Sequence, residues 1–366
     1  MSRIGAILLI AIFCLVAGCN QQDKHGKNDD KNINKKPEYS SAERKSGLFP
    51  IRQHGKEGFI NSKGEIVITP QFDKIDGSFR TLQMNYFYEG MAAVLLGKTM
   101  GYIDTNGKYL INPQYDGEAP FSEGLGLVRK GNLCGFIDRT GKEVIFPQYE
   151  SARLFHDGLA SVTIADKVGY IDKTGKLVIG PQFEEGGYFV NGIAPVMIGG
   201  KWGYIDKSGK LIINPQFDDA NPFGTILPIS RADDIALVRV DKLWGFIDKT
   251  GKYTINPQFE FARTFTNEGL ARIKVGNKMG YIDRTGRIAI NPQYDLVCGF
   301  SEGLAFVKLK QSGWGIINTS GQYLVSPSIE GGEDCPQFND GLAQMNKGAK
   351  IGYVDKSGKY VWNLSE

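Results

Sequence analysis

One short pattern, repeated end to end, constrains this chain more than any other feature. A glycine ahead of an aromatic-Ile-Asp step falls at Gly58, Gly101, Gly135, Gly169, Gly203, Gly245, Gly280, Gly315 and Gly352, with separations of 43, 34, 34, 34, 42, 35, 35 and 37 residues. The base period is therefore about 34 residues, with two larger insertions. A Pro-Gln-aromatic step keeps the same interval at Pro70, Pro113, Pro147, Pro181, Pro215, Pro257 and Pro292, and survives in degraded form at Pro327. A period of this length implies one supersecondary unit, too small to bury its own apolar face, stacked many times.

Within a unit the apolar residues alternate with a period of two, which predicts strands rather than helices. In the segment from Leu270 to Val275, Ala271, Ile273 and Val275 share one face while Arg272 and Lys274 share the other. In the next kind of segment Trp202 and Tyr204 oppose Ile205, and a third, Leu211-Ile212-Ile213, runs into Asn214-Pro215. Proline has no N–H to give a ladder, so pairing is expected to stop there. Between the second and third segments lies Asp206-Lys207-Ser208-Gly209-Lys210, with equivalents at 138–142, 172–176 and 248–252. Aspartate followed three residues later by glycine suits a type I turn with a left-handed glycine, closing a hairpin. The pattern predicts an all-β tandem repeat of about nine three-stranded antiparallel units, each followed by a Pro-Gln-Phe/Tyr loop, in an open superhelical or solenoid stack. A closed β-propeller is the alternative, but its blades need four strands, for which 34 residues is tight.

The pairs Trp202-Gly203, Trp244-Gly245 and Trp314-Gly315, with the downstream Ile-Asp-x-x-Gly-Lys and Asn-Pro-Gln-Phe steps, resemble the WG repeats of many bacterial surface and secreted proteins. The resemblance covers residues 47 to about 362. It departs at the tryptophan itself, replaced by Glu57, Met100, Cys134, Val168, Met279 and Ile351. The family implies an all-β repeat architecture and binding or scaffolding roles, and specifies no ligand.

Ahead of the repeats, Arg3 precedes an apolar run from Ile4 to Val16 and then Val16-Ala17-Gly18-Cys19. This reads as a secretory signal over 1–19 and resembles the lipobox of bacterial lipoproteins, in which the cysteine becomes the acylated N-terminus. Residues 20–46 are polar and charged with almost nothing to bury, which suits a disordered tether between a bilayer anchor at Cys19 and a domain over 47–366. A lipid-anchored place in the cell envelope follows. The chain after the signal keeps Cys134, Cys298 and Cys335 besides Cys19. Superposing the linkers ahead of Phe300 and Phe338 places Cys298 beside Cys335, as a possible disulfide, with Cys134 a small buried hydrophobe.

Chemistry is sparse against this repeating background. The turn aspartates Asp104, Asp138, Asp172, Asp206, Asp248, Asp283 and Asp355 each supply one carboxylate, too few for calcium and well suited to capping their own turns. The stretch Gly135 to Lys142 only loosely matches a phosphate-binding loop and recurs in most units. His25, His54 and His156 are far apart and lack partners at catalytic or metal spacing. No catalytic residue, metal or cofactor is therefore assigned, and the expected role is binding rather than catalysis. A net charge of +3, evenly spread, gives no basis for nucleic acid. The candidate binding residues are aromatic: Tyr102, Tyr170, Trp202, Tyr204, Trp244, Phe246, Tyr281 and Trp314. They would stack on sugars or cations in clefts between units, or else fill the core there. The partner is expected to be an envelope protein or a glycan such as peptidoglycan, with a ligand-free spacer as the other reading.

Overall fold

The computed structural model describes residues 46–75, 86–224, 233–310 and 312–365, and the regular structure among them is entirely β. Within each sheet, strands that follow in sequence are neighbours in hydrogen bonding. Among the described residues there are eight sheets, seven of four strands and one of six that joins the first two repeats, Leu48–Gln53 through Tyr109–Tyr115. A representative sheet is Glu185–Gly186, Ile193–Ile198, Lys201–Asp206 and Leu211–Phe217. Its central hairpin runs in unbroken register from Ile193 opposite Asp206 to Ile198 opposite Lys201.

The repeat is thus the four-stranded blade of a β-propeller, which corrects the expected open solenoid of three-stranded units. Four strands fit because the first is only two residues long, as in Ser151–Ala152, Phe261–Ala262 and Leu296–Val297. It comes from the residues that sequence reasoning assigns to a linker. Glu123-Gly124, Asp157-Gly158, Asn191-Gly192 and Glu302-Gly303, all at positive φ, fold these residues back onto the second strand. Two successive left-handed residues make the type I′ turn that matches the twist of a hairpin.

The expectation that proline ends pairing is corrected as well. The fourth strand runs through its proline, as Leu177–Phe183 and Leu211–Phe217 do. Opposite the third strand, Tyr170 faces Ile179 but Val168 faces Phe183, so four residues of the outer strand span two of the inner one. A bulge of this kind leaves Pro181 with no ladder position to fill. The arch passes so close over Gly169 that a Cβ there would lie 2.7 Å from the Ile179 carbonyl oxygen and 2.8 Å from the Pro181 nitrogen.

The chain divides into two compact units, one built on residues 72–216 and the other on 47–71, 217–224 and 233–366. Inside each, successive repeats are joined by an aromatic pair, with ring centroids 4.8 Å apart for Tyr102–Phe121 and Phe136–Phe155 in the first and for Tyr281–Phe300 in the second. Turn glycines also rest on the preceding repeat: a Cβ on Gly175 would meet Ile145 at 3.3 Å, and one on Gly209 would meet Ile179 at 3.1 Å. The second unit holds the strands that open the first repeat and all of the last, and they meet by the same devices. Phe49 packs on Tyr353 at 5.5 Å, the Tyr353 hydroxyl donates to the Pro50 carbonyl at 2.7 Å, and Gly64 faces the Val361 backbone. First and last repeats are therefore neighbours through the same kinds of contact as other successive repeats.

The turn glycines Gly107, Gly141, Gly175, Gly209, Gly251, Gly286, Gly321 and Gly358 all have φ between 80° and 86°. Gly175→Ala and Gly209→Ala are each expected to cost about 1 kcal/mol or more, from left-handed strain and the approach to Ile145 or Ile179. Urea midpoints that match the parent protein would contradict this assignment of the hairpin.

Candidate functional site

The aromatic candidates lie mostly inside the protein. Tyr102, Tyr170, Tyr204, Phe246, Tyr281 and Trp314 are buried, while Trp202 and Trp244 are half-buried on their sheets. Buried rings cannot serve as stacking platforms for a ligand; these fill the space between repeats. Their hydroxyls are committed too, since Tyr170 donates to the Gly187 carbonyl at 2.9 Å and Tyr281 to that of Cys298 at 2.7 Å, each in the following repeat. Burial pushes both phenols well above their ordinary range, so they remain donors. At the tryptophan position a cation from the second strand covers the ring, Arg239 over Trp244 at 5.5 Å and Lys308 over Trp314 at 5.3 Å.

The repeated carboxylates fall into three positions per unit, and backbone groups use each of them. In the turn between third and fourth strands, Asp206 Oδ1 accepts the Ser208 amide at 2.8 Å, the Ser208 hydroxyl at 2.6 Å and the Lys210 amide at 3.1 Å. The hydroxyls of Thr140, Ser208 and Thr285 hold the Asp138, Asp206 and Asp283 carboxyls below the usual carboxylate range. The acid after Pro-Gln-aromatic caps the turn between second and third strands: Asp73 accepts from Gly97 at 2.8 Å, Asp116 from Gly131 at 2.7 Å and Glu184 from Gly199 at 2.7 Å. The third acid, in the type I′ turn, reaches across to the next repeat. Asp157 accepts the Gly192 amide at 2.5 Å and pairs with Lys207 at 2.7 Å, and Glu302 pairs with Lys356 at 2.8 Å.

Sequence reasoning missed that third acid. Its signal is present in the repeated Glu/Asp/Asn-Gly step, the strongest short hairpin cue a sequence carries. Among the described residues, no three His, Cys, Asp or Glu side chains converge as a metal would require. His54 is exposed in a turn, and His156 is buried with Nδ1 lacking a partner. Desolvation lowers the His156 imidazole to about 4, so it is neutral. Cys298 and Cys335 form a disulfide with Cα atoms 5.2 Å apart, and Cys134 is buried. Cys19, His25 and the rest of residues 1–45, where the signal and tether are expected, lie outside the described residues. No helix among the described residues is long and apolar enough to cross a membrane.

Most of the exposed large apolar side chains lie on the fourth strands, where Leu177-Val178, Leu211-Ile212 and Tyr323-Leu324 are all exposed. One position stands apart. Phe146, 70% exposed, occupies the place held elsewhere by Asn112, Asn214, Asn256 and Asn291, directly before the proline. Val144, two residues earlier on the same face, is exposed as well.

The architecture defines an all-β tandem-repeat protein of propeller type. The WG containing repeat model matches residues 58–80, 100–134, 135–167, 169–202, 202–225, 244–278, 279–311 and 314–350, and the chain belongs to that family. No curated protein matches it in sequence. Among solved structures, a eukaryotic initiation factor is similar with a TM-score of 0.59 at 12% identity, over 87% of this chain and 97% of its own. That likeness is one of fold alone. The computationally designed Ika8 protein gives 0.43 at 13% identity, covering 75% of this chain and 93% of its own. BamB from Moraxella catarrhalis gives 0.40 at 12% identity, over 76% and 92% of the two chains.

Proposed function

We propose that the chain is a lipid-anchored protein of the bacterial envelope that binds a protein partner through the outer strands of its repeats. Acylated Cys19 would hold it to the bilayer and residues 20–46 would space the array from the surface. The observation that carries the partner assignment is the contrast between the buried aromatics and the exposed outer strands. Six of the eight candidate rings are interior, whereas Phe146 and the apolar pairs of the fourth strands face solvent. Large exposed apolar side chains mark protein contacts, and an exposed aromatic is a common anchor of such a contact.

The test is capture of partners from envelope extracts by the full-length protein and by Phe146→Ser. The reading predicts one recurrent protein partner whose recovery falls about tenfold with the variant, in keeping with a truncated aromatic anchor. Recovery of glycan alone, or of nothing above background, would favour a polysaccharide binder or a ligand-free spacer instead. Intact mass of the membrane-extracted protein should show a chain beginning at Cys19 with acyl groups added. An unmodified Cys19 would remove the anchor from the proposal.

A further inference from the structure

The last linker of the array is longer than six of the others and carries a cysteine. From the proline of the Pro-Gln-aromatic step to the next inner phenylalanine the interval is eight residues at Pro113–Phe121, Pro147–Phe155, Pro181–Phe189, Pro215–Phe223, Pro257–Phe265 and Pro292–Phe300, and eleven at Pro327–Phe338. Cys335 lies in this longer linker. Its disulfide partner, Cys298, belongs to the inner edge of the preceding blade, where its amide donates to the Phe306 carbonyl at 2.9 Å. The two cysteines differ in exposure, Cys298 being fully buried and Cys335 exposed, with the Cys335 sulfur 3.6 Å from the Val297 carbonyl.

A cation lies alongside the bond. Arg272 Nη1 donates to the Val297 carbonyl at 3.2 Å and stands 3.6 Å from Cys335 Sγ. The position is special to this blade. Arg272 faces Tyr281 across the sheet, whereas the residues facing the equivalent aromatic in other blades are Ser161, Pro195 and Leu237. The linker is also fixed on its other side without help from sulfur. Trp314 Nε1 donates to the Gly332 carbonyl at 3.0 Å, and Lys308 reaches Gly332 at 3.3 Å and Glu333 at 2.7 Å.

We propose that Cys298–Cys335 is an exchangeable disulfide that takes a thiol as its substrate, with Cys335 Sγ the atom attacked and Arg272 the group that stabilises the thiolate left on Cys335. A thiol such as glutathione, or one cysteine of a dithiol reductant, reaches Cys335 Sγ from solvent as its thiolate. The new sulfur–sulfur bond forms there while the Cys298–Cys335 bond breaks, and the electron pair leaves on Cys298 Sγ, which takes up the proton the attacking thiol gave up. A second thiol then attacks the incoming thiol's sulfur, releasing an external disulfide and a Cys335 thiolate beside the Arg272 guanidinium. The protein disulfide and two thiols become two protein thiols and one external disulfide. Since the linker stays pinned through Gly332 and Glu333, Cys335 remains near Cys298 and the bond re-forms by the reverse path.

The experiment treats the folded full-length protein with reduced glutathione at neutral pH, quenches by alkylation and maps both cysteines by mass. The disulfide is expected to open while the protein stays folded, with the first glutathione adduct on Cys335. Arg272→Gln should slow release of the Cys335 thiol from its glutathione adduct about tenfold, so that the adduct accumulates, and Arg272→Lys should restore most of that rate. Opening only at denaturant concentrations that unfold the protein would overturn the proposal, as would an adduct on Cys298. A rate unchanged in Arg272→Gln would remove Arg272 from it. If Arg272→Gln does not fold, adduct mapping on the parent protein still decides which sulfur is attacked.

Discussion

An alanine at Gly203 is expected to destabilise the protein by about 3 kcal/mol, and an alanine at Gly199, four residues upstream, by about 1 kcal/mol. The two glycines separate space from conformation. Gly199 has φ of 60° and nothing within 4 Å of where a Cβ would be, so its cost is left-handed strain alone. Gly203 has no positive φ, but a Cβ there would lie 2.6 Å from the Ile213 carbonyl oxygen and 2.7 Å from the Pro215 nitrogen. Both are backbone atoms held in the bulge of the fourth strand, so neither can rotate away as a side-chain tip would. Relief requires the outer strand to lift off, taking with it Ile213 and Phe217, which are buried at the edge of the blade. The same approach recurs at Gly58, Gly101, Gly135, Gly169, Gly245 and Gly280, at 2.5 to 2.7 Å from the carbonyl or proline nitrogen opposite. Urea midpoints measured side by side decide the matter. If Gly203→Ala costs no more than Gly199→Ala, the close approach does not hold the blade together.

That geometry explains which half of the Trp-Gly step is invariant across the repeats. The glycine is kept at all nine positions while the residue before it varies among Trp, Met, Val, Cys, Ile and Glu. The glycine answers to a backbone, which has one shape. The tryptophan position answers to a partly covered surface, which different side chains can fill. The period, the strand character and the turn of Asp206 to Lys210 were legible because local chemistry alone determines them.

The parts that were not legible depend on partners distant in sequence. A two-residue strand has no periodicity to detect, and Glu185–Gly186 pairs only because Val196 and Met197 lie opposite. The rule that proline ends a strand failed at Pro215 because a bulge removes the need for its missing N–H, and a bulge is a property of two strands. The aromatic row shows the same limit. Alternation placed Tyr170 and Tyr204 on one face of a strand, but whether that face meets solvent or the next blade depends on Phe189 and its counterparts, a repeat away. Once closely packed neighbours cover both faces of a blade, most of its exposed large apolar side chains are left on the outer strand, which the repeat pattern marks as the least remarkable segment.

Between pH 6.5 and 4 the protein should lose about 3 kcal/mol of stability through one side chain, His156. The imidazole is buried beside Tyr188, with ring centroids 6.1 Å apart. Desolvation lowers it to about 4, and the other charged neighbours that act on it are Asp157, which favours the cation, and Lys207, which opposes it. In the unfolded chain the same group takes a proton near 6.5. Over the interval between those values the unfolded state binds the proton and the folded state does not, so unfolding becomes easier as the pH falls. The contribution is complete above about 6.5 and is lost progressively down to about 4. The turn carboxylates cannot mimic it: Asp138, Asp206 and Asp283 are shifted below their ordinary value, so their stabilisation is lost only as the pH falls below about 4. His156→Gln removes the titration while keeping a polar side chain for the hydrogen bond to the Phe189 backbone. Unfolding free energies at pH 8, 6.5, 5.5 and 4.5 should fall steeply in the parent protein below 6.5 and stay nearly level in the variant. Parallel profiles for the two proteins would show that His156 is not the group holding that stability.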